Sequence, residues 1–173
     1  IMTKTPEYSL QYICADYFEI NECHYLVVVD RFSSWIMIYY YPSTRFNHCS
    51  LIDTCREIFT NYGTPEELSS DGGPQFIAHQ FEEFLKRWGV HHRLSSGEYP
   101  QSNGRAELGV KSAKRIIYDN ISPNGSLNTD SAASAILQYR NTPLPGINLS
   151  PAQILFHRQL RDHIPTKPCY YQL

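Results

Sequence analysis

The sequence has no long apolar run. No stretch approaches the roughly 18 consecutive apolar residues that a membrane span requires, and the first residues do not have the regions of a secretory signal peptide. Hydrophobic residues make up 42% of the chain and charged residues 18%, which is ordinary for a soluble globular domain. We therefore expect a folded domain that has no membrane partner.

Cysteine pairs with the spacing of a zinc site are also missing. The five cysteines are Cys14, Cys23, Cys49, Cys55 and Cys169. Their number is odd and no two are closely spaced, so the pattern favours neither a disulfide framework nor a zinc site. Cys14 lies in an apolar stretch, where a free thiol behaves as a small hydrophobic group. The simplest interpretation is a reduced, intracellular compartment.

Positive charge is scarce except in one segment. The net charge is −2, and residues 1–85 contain four Lys or Arg against twelve Asp or Glu. Residues 86–115 contain seven Lys or Arg against two acids. A solvated helix face is the common explanation of such a basic run. The segment gains interest from the other residues that it contains.

The hydrophobic pattern predicts an α/β fold, with three strands first and alternating helices and strands afterwards. The predicted strands are Leu10–Ile20, His24–Asp30, Trp35–Tyr41, Glu66–Ser70 and Val90–Leu94. The predicted helices are Asn47–Tyr62, one from Pro74 to Gly89 with Ile77 on its buried face, one ending near Asn120, Thr129–Arg140, and a short one starting at Ser150. Short early connections favour antiparallel neighbours, and the later units favour parallel pairing. The prediction is a five-stranded mixed sheet flanked by helices, with the first and fourth strands adjacent.

Three carboxylates are ordinary individually and informative together. Asp16 lies within the first strand, Asp71 follows the fourth strand, and Glu107 lies in the helix after the fifth. In the predicted topology they converge on one edge of the sheet, and carboxylate oxygens are good ligands for Mg²⁺. Two such ions can stabilise the attacking and the leaving oxygen of a phosphodiester displacement. The sequence thus predicts metal-dependent chemistry on phosphodiesters.

A polar stripe on the same helix supports this interpretation. Asn103, Glu107, Lys111 and Lys114 follow one another at steps of four, four and three, which places them on one helix face. Such a face presents an acid to metal ions and two ammonium groups to a phosphate backbone. A routine amphipathic helix with a Glu–Lys pair is the alternative for this helix considered without the other two carboxylates.

Three motifs give the chain a family resemblance. Between Asp71 and Glu107 lie 35 residues, the interval of the Asp-Asp-35-Glu signature. The words SSDGGPQF, YPQSNGRAE and ILQYRNTPLPGINLSPAQILFHRQL resemble motifs of retroviral-type integrase catalytic cores, in particular those of gypsy-like LTR retrotransposons. The resemblance implies a ribonuclease-H-like catalytic core over residues 1–165, with residues 166–173 as a C-terminal tail.

The resemblance also implies roles for individual residues. Asp16, Asp71 and Glu107 would be the catalytic ligands of two Mg²⁺ or Mn²⁺ ions, while Lys111, Lys114 and Asn103 match positions near the DNA end. Tyr99 falls in the loop before the catalytic helix and would, with these three residues, contact DNA. The implied activity is that of an integrase-type DNA nucleotidyltransferase and endonuclease acting on element ends and target DNA. It implies a homodimer or larger assembly, and the nucleus as its place of action.

Two other functions fit the same residues. A ribonuclease-H-like nuclease that only hydrolyses would use the three carboxylates equally well. A domesticated remnant, kept as a DNA-binding or protein-binding module, would not need their chemistry. The YPQSNGRAE word favours the integrase over the nuclease, and the intact carboxylates argue against the remnant.

Overall fold

The computed structural model describes residues 4–95 and 104–172. Its five strands are β1 Tyr12–Ile20, β2 Cys23–Asp30, β3 Ile36–Tyr41, β4 Glu67–Ser70 and β5 His91–Leu94. They form one sheet in the order β3-β2-β1-β4-β5. The pairs β1–β2 and β2–β3 are antiparallel, and β1–β4 and β4–β5 are parallel. The predicted five-stranded mixed sheet, with its first and fourth strands adjacent, is confirmed.

Six α-helices accompany the sheet in the described ranges: α1 His48–Tyr62, α2 Pro74–Ile77, α3 His79–Arg87, α4 Gly104–Asp119, α5 Thr129–Asn141 and α6 Pro151–Phe156. Local chemistry sets several of their ends. The Asn47 side chain accepts a hydrogen bond from the amide of Ser50 at the start of α1. Ser150 and Gln153 form a reciprocal capping box at the start of α6, which satisfies backbone donors that a helix end leaves unpaired. Within the described residues, no helix is long and apolar enough to cross a membrane.

Helices pack against both faces of the sheet. Along β2, the side chains of Leu26 and Val28 enter one core, which also contains residues of α1 and α3. Val27 and Val29 enter a second core beneath α4 and α5. This alternation follows from the two-residue period of a strand. Because β2 is covered on both faces, it consists of a continuous apolar run.

Two predicted elements differ from the structure by more than one residue. The single helix predicted from Pro74 is broken at Ala78, whose backbone is extended (ψ 134°). The break changes which side chains face the core, so that Phe76 is fully buried and Ile77 is 51% exposed instead of buried. The first strand begins at Tyr12 instead of Leu10, because Leu10 adopts a left-handed conformation (φ 65°) that ends regular pairing.

A buried carboxylate organises the turn between β2 and β3. Asp30 accepts hydrogen bonds from the amides of Leu10 (2.8 Å) and Ser33 (3.1 Å), and from the Ser33 hydroxyl (2.5 Å). The next residue, Ser34, donates from its hydroxyl to the Arg105 carbonyl in the first turn of α4 (3.2 Å). The turn therefore fixes the beginning of α4 against the end of β2.

The middle of α4 approaches the sheet at Gly109. A Cβ atom at this position would lie 2.6 Å from Val29 Cγ1 and 3.3 Å from Ile36 Cγ2. Glycine costs roughly 1 kcal/mol relative to alanine inside a helix. Here it allows a backbone distance that no other residue permits. Ala106 and Ala113, on the same buried side, keep the helix close along its length.

A half-buried arginine links α5 to the outer strand β3. Both Nε and Nη2 of Arg140 donate to the Ile36 carbonyl, at 3.2 and 2.7 Å. The guanidinium lies 4.0 Å from the centre of the Trp35 ring, within the range of cation–π attraction. Helix α5 is thus held by a backbone acceptor of the sheet and not by apolar contacts alone.

The C-terminal segment folds back onto α5. Asn141 donates to the Leu160 carbonyl (2.7 Å) and accepts from the Leu160 amide (2.9 Å). The Gln159 amide donates to the Tyr170 carbonyl (2.8 Å), within the 3-10 turn Pro168–Tyr171. A second 3-10 turn, Ser43–Arg45, precedes α1. The division into a core of residues 1–165 and a tail of residues 166–173 stays a prediction.

We expect Gly109→Ala to lower the free energy of unfolding by about 1–3 kcal/mol, the usual cost of overfilling a packed site. Val29 is β-branched and has little rotamer freedom with which to yield. Gly104→Ala is the matched control, because nothing lies within 4 Å of its added methyl group. Denaturant unfolding measures both variants. Equal stability of the two variants would contradict the close approach at Gly109.

Candidate active site

The pairing of β1 with β4 places Asp16 level with Asp71. The parallel register joins Cys14 to Ser69, and Asp16 and Asp71 each lie two residues further along. Asp16 of β1 is paired with Val27 of β2, which belongs to the core beneath α4. Because side chains alternate between the faces of a strand, Asp16 lies on the α4 face of the sheet. Asp71 directly follows the end of β4, and its charge is near enough to act on Asp16.

Asp16 occupies a setting that is unfavourable to its negative charge. Its side chain is 31% exposed. Burial raises the pKa of this carboxyl above its usual value, the nearby Lys114 opposes that rise, and the charge of Asp71 adds to it. The Lys114 ammonium lies 3.5 Å from Asp16 Oδ2. Burial therefore outweighs the attraction of the lysine, and ionisation of Asp16 is unfavourable in this setting.

A tight turn orients the exposed Asp71 side chain. Its Oδ1 accepts a hydrogen bond from the Gly73 amide (2.9 Å). A Cβ atom at Gly73 would lie 3.0 Å from the same oxygen. Gly73 therefore leaves room for the carboxylate to fold back over the turn, a conformation that an aspartate often adopts before a helix.

A Ser–His pair supports the backbone at Asp71, and the sequence did not predict it. The Ser70 hydroxyl donates to the Asp71 carbonyl (3.0 Å) and lies 2.8 Å from His92 Nε2. Since that hydroxyl has one proton, His92 must donate from Nε2 to satisfy both contacts. Burial lowers the pKa of His92, which favours this neutral form. Only the position of His92 in a strand beside β4 hinted at the contact.

The position of Glu107 on α4 does not complete a metal-binding group with the other two carboxylates in the described residues. It lies exposed in the first turn of α4, next to the buried Ala106. Across residues 4–95 and 104–172, no group of three or more His, Cys, Asp or Glu side chains is arranged to hold a metal ion. Three carboxylates repel one another. A bound cation would supply the attraction needed to draw Glu107 towards Asp16 and Asp71.

The predicted DNA-contacting residues divide into two groups. Lys111 and Lys114 are both exposed on α4, within the described helix. Lys114 contacts Asp16, and its ammonium lies 5.9 Å from the centre of the Phe18 ring. Asn103 and Tyr99 fall outside the described residues. The helical stripe is therefore present from Glu107 to Lys114.

Comparison with known families identifies the domain to which these residues belong. A model of the integrase core domain matches residues 7–100, more than half of the chain. The chain belongs to the integrase core domain family. This membership confirms the resemblance to retroviral-type integrases that the three motifs indicated.

Similar proteins include products of retroelements. The chain is 36% identical over 143 residues to the uncharacterized protein K02A2.6 of Caenorhabditis elegans, covering 82% of this chain and 11% of that protein. It is 30% identical over 133 residues to the Pol polyprotein of feline endogenous virus ECE1, covering 76% of this chain and 12% of the polyprotein. The chain therefore spans about a tenth of the length of these relatives.

Solved structures share the fold. The chain aligns with the simian T-cell lymphotropic virus intasome in complex with PP2A regulatory subunit B56 gamma, with a TM-score of 0.73 at 19% identity, covering 95% of this chain and 61% of that one. It aligns with the catalytic core domain of BIV integrase, with a TM-score of 0.69 at 21% identity, over 86% and 95% of the two chains. The catalytic core domain of HTLV-2 integrase in complex with magnesium gives a TM-score of 0.66 at 17% identity, over 86% and 98%. The predicted ribonuclease-H-like fold is confirmed.

We expect Asp16→Asn to raise the melting temperature at neutral pH in buffer containing a chelator. Because the pKa of Asp16 is raised in the folded protein, ionisation of this carboxyl costs stability as the pH rises through that pKa. Asparagine carries no charge at any pH. The advantage of the variant should therefore shrink as the pH falls towards about 3.9, the usual value for aspartate.

The control for this prediction is Asp119→Asn, which removes an exposed carboxylate that pairs with Arg115 at 3.6 Å on the same helix as Lys114. Thermal melts across the pH range compare the two variants with the wild type. A melting advantage of Asp16→Asn that grew on acidification would contradict the direction of the shift.

Proposed function

We propose that this chain is the catalytic core of a DNA polynucleotidyl transferase, which processes the ends of element DNA and joins them to target DNA. The observation that carries the proposal is the level placement of Asp16 and Asp71 beneath the helix that bears Glu107. The family membership supports it. The substrates would be element ends and target DNA, and the nucleus would be the place of action.

The ligand atoms of the three carboxylates are of the type that suits a pair of divalent cations. Asp16, Asp71 and Glu107 offer oxygen ligands alone, the type that Mg²⁺ and Mn²⁺ accept. Burial raises the pKa of Asp16 although the Lys114 ammonium lies 3.5 Å away, and a divalent cation would offset this cost of ionisation. When bound, such ions neutralise charge on the phosphodiester and activate the attacking oxygen. The magnesium complex of the HTLV-2 integrase core supports this assignment.

The protein would contribute mainly positioning and electrostatics. In the first reaction a water molecule attacks a phosphodiester near the DNA end, and in the second the freed 3′-hydroxyl attacks target DNA. Both are in-line displacements, which depend on holding the reacting groups in place. Lys111 and Lys114 are exposed on α4 and would bind the phosphate backbone beside the carboxylates. The anchoring of α4 at Gly109 would keep them at a constant height above the sheet.

A joining reaction on two DNA ends requires more than one active site, so we propose a homodimer or a larger assembly. Related integrase structures support this: the simian T-cell lymphotropic virus protein is in an intasome, and the HTLV-2 core has trimeric and dimeric forms.

We expect Asp16→Asn, Asp71→Asn and Glu107→Gln each to abolish strand transfer by the intact protein while leaving it folded. Each change removes a charged ligand and keeps the size of the side chain. The measurement is the joining of a pre-cut DNA end to a second duplex, with circular dichroism as the check on folding. Near-wild-type joining by any of the three variants would remove that residue from the proposed site.

The control is Asp119→Asn, which neutralises an exposed carboxylate at the other end of α4 and should join DNA normally. The same assay separates the proposed transferase from a nuclease. Cleavage of the duplex without any joined product, lost in all three variants, would identify an enzyme that only hydrolyses.

We also expect Mg²⁺ or Mn²⁺ at millimolar concentration to raise the melting temperature of the wild type. A ligand that binds only the folded state stabilises it by roughly 2.7 kcal/mol when present at one hundred times its dissociation constant. Asp16→Asn and Asp71→Asn should lose this response, and Asp119→Asn should keep it. If neither ion changed the melting temperature of the wild type, the proposed metal site would be wrong.

A further inference from the structure

The ammonium group of Lys114 lies between a carboxylate and an aromatic ring. It is 3.5 Å from Asp16 Oδ2 and 5.9 Å from the centre of the Phe18 ring. Asp16 and Phe18 are two residues apart on β1 and therefore face the same side of the sheet. The lysine is thus placed over the strand that carries the first carboxylate of the proposed site.

The packing of α4 makes this placement a property of the fold. Ala113 and Ile117, next to Lys114 on the helix, are buried against the sheet, and Gly109 fixes the distance between helix and sheet. Lys111 lies on the same helix and is also exposed, but the six ion pairs of the described residues include Lys114 and not Lys111. The two lysines of the stripe therefore differ in whether a carboxylate of the site engages them.

One oxygen of Asp16 cannot serve a lysine and a divalent cation equally. A divalent ion brings twice the charge to the site, and Asp71 adds a second ligand level with Asp16. The lysine side chain is 46% exposed and has a long flexible stem, so its ammonium can leave the carboxylate without disturbing the helix. The nearest new partner for a displaced ammonium would be a phosphate of the bound DNA.

We propose that Lys114 exchanges between Asp16 and a DNA phosphate, and that a divalent cation binding at Asp16 drives the exchange. This inference rests on the proposed function. In the metal-free protein Lys114 is the counter-ion of Asp16 and contributes little to DNA binding. In the metal-bound protein it is released and holds the phosphate backbone. Metal and DNA are therefore coupled through one side chain, and the coupling acts equally in both directions.

The test measures the DNA affinity of Lys114→Gln and of its matched control, Lys111→Gln. The probe is a short duplex that ends in a 3′-dideoxynucleotide, so that no joining occurs, and ionic strength is constant. With a chelator present, Lys114→Gln should bind this duplex nearly as well as the wild type. With Mg²⁺ it should bind about two- to fivefold more weakly, the range of a partly exposed ion pair. Lys111→Gln should lose a similar factor under both conditions.

Two further measurements do not depend on any reaction of the DNA. Without DNA, Lys114→Gln should bind Mn²⁺ more tightly than the wild type by about two- to fivefold in calorimetry, because the competing ammonium is gone. Lys111→Gln should bind Mn²⁺ as the wild type does. In Mg²⁺ the salt dependence of DNA binding by Lys114→Gln should be shallower by about one phosphate contact, and in chelator it should be unchanged.

The proposal is overturned if Lys114→Gln weakens DNA binding equally with and without Mg²⁺, or if its affinity for Mn²⁺ does not rise. Failure of the proposed function has a different signature, since the wild type itself would then bind no Mn²⁺ through Asp16 and Asp71. If Asp16→Asn abolishes Mn²⁺ binding but the two lysine variants behave alike, the metal site stands and the exchange is refuted.

Discussion

The parallel pairing of β1 with β4 is the constraint on which the candidate site depends. Hydrogen bonds between these strands set a register in which Asp16 and Asp71 fall at the same height, although 54 residues separate them in the chain. A slip of one residue would turn either carboxylate to the opposite face of the sheet. The apolar residues on both sides of the sheet prevent such a slip, because it would expose them. The core therefore determines the chemistry of the site as well as the stability of the fold.

Helix α4 completes the site in a different way. Its first turn is tied to the β2–β3 turn through Ser34 and Arg105, and its middle rests on Val29 at Gly109. These contacts leave Glu107 exposed on the first turn and Lys114 directly over β1. The strands are held by backbone hydrogen bonds, while Glu107 and Lys114 are exposed side chains of the helix. This division suits the proposed site, whose ligands would accept ions and DNA together.

Much of this arrangement could be predicted from the sequence. Period-two and helical patterns indicated the five strands and their order. The grouping of Glu107 with Asp16 and Asp71, which the 35-residue interval indicated, stays a prediction. The break in the helix at Ala78 could not be predicted, because alanine itself favours a helix. The break accompanies the burial of Phe76, which depends on tertiary packing. The contacts of Lys114 with Asp16 and of His92 with Ser70 join residues far apart in the chain. Gly109 did carry a signal, since a glycine within a helix often marks a close approach.

The hydrogen bonds from Arg140 to the Ile36 carbonyl have a consequence for the outer edge of the sheet. β3 is an edge strand, and the unpaired carbonyl groups of an edge can recruit a strand from another molecule. The Nε and Nη2 groups of Arg140 already donate to the Ile36 carbonyl, and the guanidinium lies over the Trp35 ring. An incoming strand would have to displace this half-buried cation before it could form a hydrogen bond to the Ile36 carbonyl. The same side chain that docks α5 thereby protects the sheet from edge-to-edge aggregation.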